Sequence, residues 1–137
     1  MKIIVDTNKI IAALIKDSAC RKILLSEKIE FLTVDFTKRE LNNHKNEMLD
    51  KVCIKEAALN SLMAEFLKRI YVIDDIAIKG AFEPAKRIME KIDPDDTPFI
   101  ALALSVENDG IWIDDKHFKR QKMFKIWTTA DMLKLIE

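Results

Sequence analysis

Lys2-Ile3-Ile4-Val5-Asp6-Thr7-Asn8 is the stretch that decides the fold. Lys2 to Val5 is a short apolar run, as expected of a strand buried on both faces, and such strands belong to parallel sheets. Asp6-Thr7-Asn8 then ends the strand and opens a helix carrying Ile10, Ile11 and Leu14 on one side. The same alternation runs to the C-terminus. Asp17-Ser18 is placed to cap a second helix with Ile23 and Leu24, and Glu30 to Val34 reads as a second strand. Thr37-Lys38-Arg39-Glu40 has the spacing of a capping box and predicts a long polar helix to about Val52. Leu59, Leu62, Met63, Phe66 and Ile70 recur at helical spacing, and Tyr71 to Ile73 reads as the third strand.

The helix predicted from Ala81 carries Phe82, Ala85, Ile88, Met89 and Ile92 and stops at Asp93-Pro94. Pro98 to Val106 is apolar almost throughout, which predicts a deeply buried helix. Asn108-Asp109-Gly110 is a turn, followed by strands at Ile111–Ile113 and Lys125–Trp127, and Thr128 or Thr129 caps a last helix. About five strands alternating with helices predict an α/β protein with a mostly parallel sheet covered on both faces. The 137 residues suit one domain spanning 1–137.

Composition removes several function classes. With 49% hydrophobic and 34% charged residues the chain is expected to be globular. Its 23 basic residues balance 23 acidic ones, so any nucleic-acid binding must come from local asymmetry rather than a global field. No apolar run is long enough to span a bilayer, and Lys2 leading straight into strand and aspartate does not read as a signal peptide. Cys20 and Cys53 form no Cys-x-x-Cys and are expected to be buried thiols, so the expected location is cytoplasmic.

Four acids stand where separate segments leave a strand or open a helix: Asp6, Glu40, Asp96 and Asp115. In open parallel sheets ligands bind beyond the carboxyl ends of the strands, so all four are expected on one edge. Two unit charges about 4 Å apart cost on the order of 4 kcal/mol at an effective dielectric near 20. Such a cluster must raise its pKa values, spread apart or bind a cation. Oxygen ligands suit Mg²⁺ or Mn²⁺, and with neither histidine nor cysteine at ligand spacing zinc is disfavoured.

Val5-Asp6-Thr7-Asn8, Arg39-Glu40-Leu41, Asp93-Pro94-Asp95-Asp96-Thr97-Pro98-Phe99-Ile100-Ala101-Leu102-Ala103 and Trp112-Ile113-Asp114-Asp115-Lys116-His117-Phe118 together resemble the successive motifs of PIN domains, in order and spacing over nearly the whole chain. Many prokaryotic members are ribonuclease toxins of type II toxin–antitoxin pairs, VapC-like. The resemblance implies a three-layer α/β/α sandwich, Mg²⁺- or Mn²⁺-dependent RNA cleavage, a homodimer and a partner antitoxin. Carried over residue by residue, the catalytic acids are Asp6, Glu40, Asp96 and Asp115, with Asp6, Asp96 and Asp115 on the metal. Thr7, Asn8, Asp95 and Asp114 take supporting places. The pattern departs at Ile113, where the family often has Thr or Ser, and Asp114 is the residue expected to compensate.

Beside these acids, residues 116 to 125 supply Lys116, Lys119, Arg120, Lys122 and Lys125 with Phe118 and Phe124 interleaved and no acid among them. Cations would hold RNA phosphates and an exposed ring would stack a base. Lys38, Arg39 and Lys45 are placed to extend the rim. Each acid also has an ordinary reading: Asp6 as a helix cap, Glu40 as half of the capping box, Asp93 as turn chemistry, Asp114-Asp115 as a turn. Their joint occurrence outweighs those readings. Two alternatives stay open. One is a non-catalytic RNA- or partner-binding module with a weakened site. The other is a receiver or phosphotransfer domain using Asp74-Asp75 at the end of the third strand.

Overall fold

Five strands form one all-parallel sheet in the computed structural model, which describes residues 1–16 and 18–137. They are β1 (Lys2–Val5), β2 (Glu30–Val34), β3 (Ile70–Ile73), β4 (Ile111–Trp112) and β5 (Ile126–Trp127). The helices are α1 (Thr7–Ile15), α2 (Ser18–Leu24), α3 (Asp35–Asn43), α4 (Lys45–Lys51), α5 (Glu56–Lys68), α6 (Asp75–Ile78), α7 (Phe82–Met89), α8 (Thr97–Ser105) and α9 (Thr129–Ile136). The expected cap at Asp17 lies outside the described residues.

The sheet order is β3-β2-β1-β4-β5. Alternate residues of β1 point to opposite faces: Ile3 and Val5 join one apolar layer with Phe31 and Trp112, while Ile4 joins the other with Leu32, Val34, Ile111 and Ile113. Helices α1, α2, α5 and α9 contribute Ile10, Leu14, Ile23, Phe66 and Met132 to the first layer. The second is filled by Ala85 and Met89 of α7 and by the continuous run Phe99 to Ala103 of α8. Each fully buried large apolar side chain contributes on the order of 1.5–3 kcal/mol. The three-layer α/β/α arrangement follows directly, because a sheet apolar on both faces must be covered twice.

Chain order reverses beside β1: the connection from β1 runs one way to β2 and β3, and β4 and β5 lie on its other side. Such a switch point opens a crevice at the carboxyl ends of the two central strands. Gly110 makes the β1–β4 pairing possible. Its φ is 127°, and a Cβ there would stand 2.5 Å from the Lys125 carbonyl oxygen. Its own carbonyl accepts from Ile4 N at 3.0 Å.

Three expectations are corrected. The Thr37–Glu40 capping box does not form: α3 starts at Asp35 directly from the strand, with Val34 as a cap lacking a side-chain bond. Thr37 is buried within the first turn, and its hydroxyl lies 2.9 Å from that of Thr33, which donates to the Val5 carbonyl at 2.9 Å. The long polar helix is divided at His44, where ψ is 4°, after the weak helix formers Asn42 and Asn43. Cys53 falls between α4 and α5 and is exposed, while Cys20 is buried as expected. No helix among the described residues is long and apolar enough to cross a membrane.

Candidate functional site

Asp6 leaves β1 and caps α1, its Oδ1 accepting from Lys9 N at 3.2 Å. Asp93 caps the 3₁₀ turn Pro94–Asp96, accepting from Asp95 N at 3.2 Å through Oδ1. Asp115 follows β4 and caps the 3₁₀ turn Lys116–Arg120, accepting from His117 N at 2.9 Å, again through Oδ1. The capping and ligating readings are therefore not rivals. Each cap engages only Oδ1 of its carboxylate.

Asp93, Asp96 and Asp115 offer carboxylate oxygens that all lie within 4.8 Å of one another. Two of these were expected to share an ion; Asp93 was read as turn chemistry alone. Its signal was present in Asp93-Pro94-Asp95-Asp96, because side chains three apart in a 3₁₀ turn eclipse one another. Asp6 stands outside that trio but within electrostatic reach of it. Burial, opposed by the Lys9 backbone bond and charge and reinforced by Glu40 and Asp114, pushes its carboxyl up to about 7. Asp96 is pushed up to about 8, first by burial, then by the charges of Asp93, Asp6 and Asp115 and a side-chain hydrogen bond with Asp93. A pocket that makes carboxyls hold protons near neutrality is one whose charge a cation would relieve. An all-oxygen donor set fits Mg²⁺ or Mn²⁺.

Glu40 projects from α3 with Oε1 accepting from the Thr7 hydroxyl at 2.6 Å. Thr7 is itself buried, 3.1 Å from the Thr37 hydroxyl. A buried ladder of hydroxyls from Thr33, Thr37 and Thr7 thus holds Glu40 at the crevice, and Asn8 lies exposed in the first turn of α1. Asp95 is exposed, lies outside the trio and lines a groove of about 750 Å³ together with Phe36, Ile78, Phe82 and Pro98.

Asp114 is committed elsewhere. Its Oδ1 accepts from Thr129 N at 2.8 Å, and its Oδ2 accepts from Thr129 Oγ1 at 2.6 Å and pairs with Lys9 Nζ. Burial pushes its carboxyl up, but these bonds and the Lys9 charge together hold it below the usual carboxylate value. Ile113 is buried in the second apolar layer, with its N–H donating to the Trp127 carbonyl at 3.0 Å. Thr129 also takes a 3.1 Å bond from the Trp112 indole.

Lys116, Lys119, Arg120, Lys122 and Lys125 are all exposed, directly after Asp115. Lys125 Nζ stands 3.9 Å from the centroid of the Trp127 ring. Phe118 is fully buried and unavailable for stacking, and Phe124 is half-buried. His44 pairs with Glu47 at 3.3 Å. The receiver alternative fails on topology: β3 is an edge strand beside β2, so Asp74 and Asp75 cannot join Asp6, and Asp75 instead pairs with Arg39 at 3.3 Å.

Comparison with known proteins agrees with this fold. A search of curated proteins finds no match. Among solved structures, the crystal structure of VapBC2 from Rickettsia felis bound to a DNA fragment from their promoter contains a chain that matches with a TM-score of 0.72 at 18% identity, over 93% of this chain and 98% of that one. It shares the fold. A family model described as the PIN domain matches residues 4–136, and on that match the chain belongs to the PIN domain family.

Proposed function

We propose that this protein is a divalent-metal-dependent endoribonuclease hydrolysing phosphodiester bonds of single-stranded or structured RNA, and that it is the toxin of a toxin–antitoxin pair. The observation that carries the proposal is the convergence of Asp93, Asp96 and Asp115, from two separate segments, to within 4.8 Å at the switch point of a PIN fold.

Asp96 and Asp115, joined by Asp93, would hold Mg²⁺ or Mn²⁺, with Asp6 lending its charge from the end of β1. When bound, the ion supplies a lowered water pKa and neutralises charge on the scissile phosphate. Glu40, held by Thr7, would orient the attacking water. No side-chain nucleophile is required. Lys116, Lys119, Arg120 and Lys122 would hold flanking phosphates, offsetting the acidity of the crevice.

An antitoxin peptide is the expected protein partner. The groove walled by Phe36, Ile78 and Phe82 adjoins the acids through Pro94 and Asp95 and supports that reading, as does Ile76 at 80% exposure. A homodimer belongs to the same proposal. The wild-type protein should cleave single-stranded RNA with Mn²⁺ and stop on chelation. Asp96→Asn should lower that cleavage by about a hundredfold or more while leaving the circular dichroism spectrum unchanged. Equal cleavage by the variant would remove the site.

A further inference from the structure

The acids of the crevice are not all left to a metal. Lys9, in the first turn of α1, is only 14% exposed and pairs with Asp114. A largely buried lysine is kept only where its charge is met. Asp114 meets it and is itself fixed, since Thr129 N and Thr129 Oγ1 hold its two oxygens at 2.8 and 2.6 Å. Thr129 is fixed in turn by the Trp112 indole at 3.1 Å and by its place at the start of α9, whose cap Thr128 forms a reciprocal pair with Asp131. The ammonium is therefore tethered through Asp114, which Thr129 links to α9.

Its position matters because of what lies between. Asp6 interacts electrostatically with Lys9, Glu40 and Asp114, and Asp96 with Asp93, Asp6 and Asp115. The acidic crevice thus has two ends joined through Asp6. At one end three carboxylates converge, and among the described residues no lysine, arginine or histidine forms an ion pair with them. At the other a cation is already built in, and both oxygens of the carboxylate beside it are occupied.

We propose that Lys9 is a positioning residue whose ammonium takes the place of a second divalent ion, so that the crevice binds a single ion at the Asp93–Asp96–Asp115 end. This rests on the nuclease reading of the site. A fixed positive charge disfavours a nearby divalent cation and leaves the far end as the one favourable location.

The test is isothermal calorimetry of Mn²⁺ alone into chelator-treated protein. Wild type should bind one ion per chain. Lys9→Met should gain a second binding event or bind the first ion about tenfold more tightly. Lys9→Arg, which keeps the charge and the pairing with Asp114, should behave as wild type. Two ions in wild type, or Lys9→Met binding like wild type with an unchanged fold, would overturn the role of Lys9 and leave the nuclease reading standing. No Mn²⁺ binding by wild type would overturn both. If Lys9→Met fails to fold, Lys9→Arg decides: a second ion in that variant overturns the proposal.

Discussion

Raising the pH of the metal-free protein should destabilise it, and the size of the effect can be worked from Asp6. This carboxyl is 2% exposed and its pKa is raised from 3.8 to about 7. Between those values the folded state holds a proton that the unfolded chain has lost. Stability is therefore fully present below about pH 4 and is lost as pH rises through about 7. At about 1.4 kcal/mol per pH unit, the complete loss is about 4 kcal/mol, of which about 2–3 kcal/mol falls between pH 5 and 7. Asp96, raised to about 8, acts in the same direction and extends the decline to higher pH, with a smaller share than its shift implies because water screens it. Urea denaturation at half-unit steps from pH 5 to 8.5, with chelator and then with excess Mn²⁺, measures this. The chelated protein should lose stability across the window and Mn²⁺ should flatten the curve. Asp6→Asn should make the chelated protein more stable than wild type at pH 8. A flat wild-type curve, or an Asp6→Asn curve as steep as wild type, would refute the reasoning.

Thr7→Val removes the hydroxyl that meets Glu40 at 2.6 Å and should cost about 1–3 kcal/mol by urea denaturation, with reduced RNA cleavage. Gly110→Ala should destabilise by about 3 kcal/mol, read as a lowered denaturation midpoint, because its Cβ would meet the Lys125 carbonyl at 2.5 Å with φ at 127°. Lys119→Gln with Lys122→Gln should reduce the slope of log affinity against log salt for single-stranded RNA by about 1.4, and an unchanged slope would exclude these cations from the RNA path.

The sheet was legible because β-strand burial leaves a local mark. All five strands are seen within a residue of their expected limits, since each is an apolar run bounded by a polar residue or turn. The continuous run Phe99 to Ala103 reported its own burial in the same way. Asp6 and Asp115 stand at the carboxyl edge because strand ends in a parallel sheet share one edge, and Asp96 meets Asp115 there from the start of α8. What the sequence hid is tertiary. Thr37-x-x-Glu40 has the spacing of a capping box, but the hydroxyls of Thr33 and Thr7 reach Thr37 from β2 and α1 and outcompete the local pattern. Asp114 reads as a supporting acid that compensates for Ile113 until Thr129, fifteen residues on, takes both its oxygens. Lys9 carries no mark of its partner 105 residues away.

The double use of the carboxylates decides which substitutions are informative. Asp6, Asp93 and Asp115 each cap a turn through Oδ1, and asparagine caps about as well as aspartate. Asp115→Asn therefore removes a ligand charge and keeps the turn Lys116–Arg120, on which the basic segment is carried. Asp115→Ala removes both, at an added cost of about 1 kcal/mol for the lost cap. If Asp115 acts as a ligand, both variants lose Mn²⁺ affinity alike, and only the alanine variant loses stability in chelator. If Asp115 is a cap and nothing more, the asparagine variant keeps both metal affinity and stability. Measuring the two properties on the two variants separates roles that a single alanine substitution would merge.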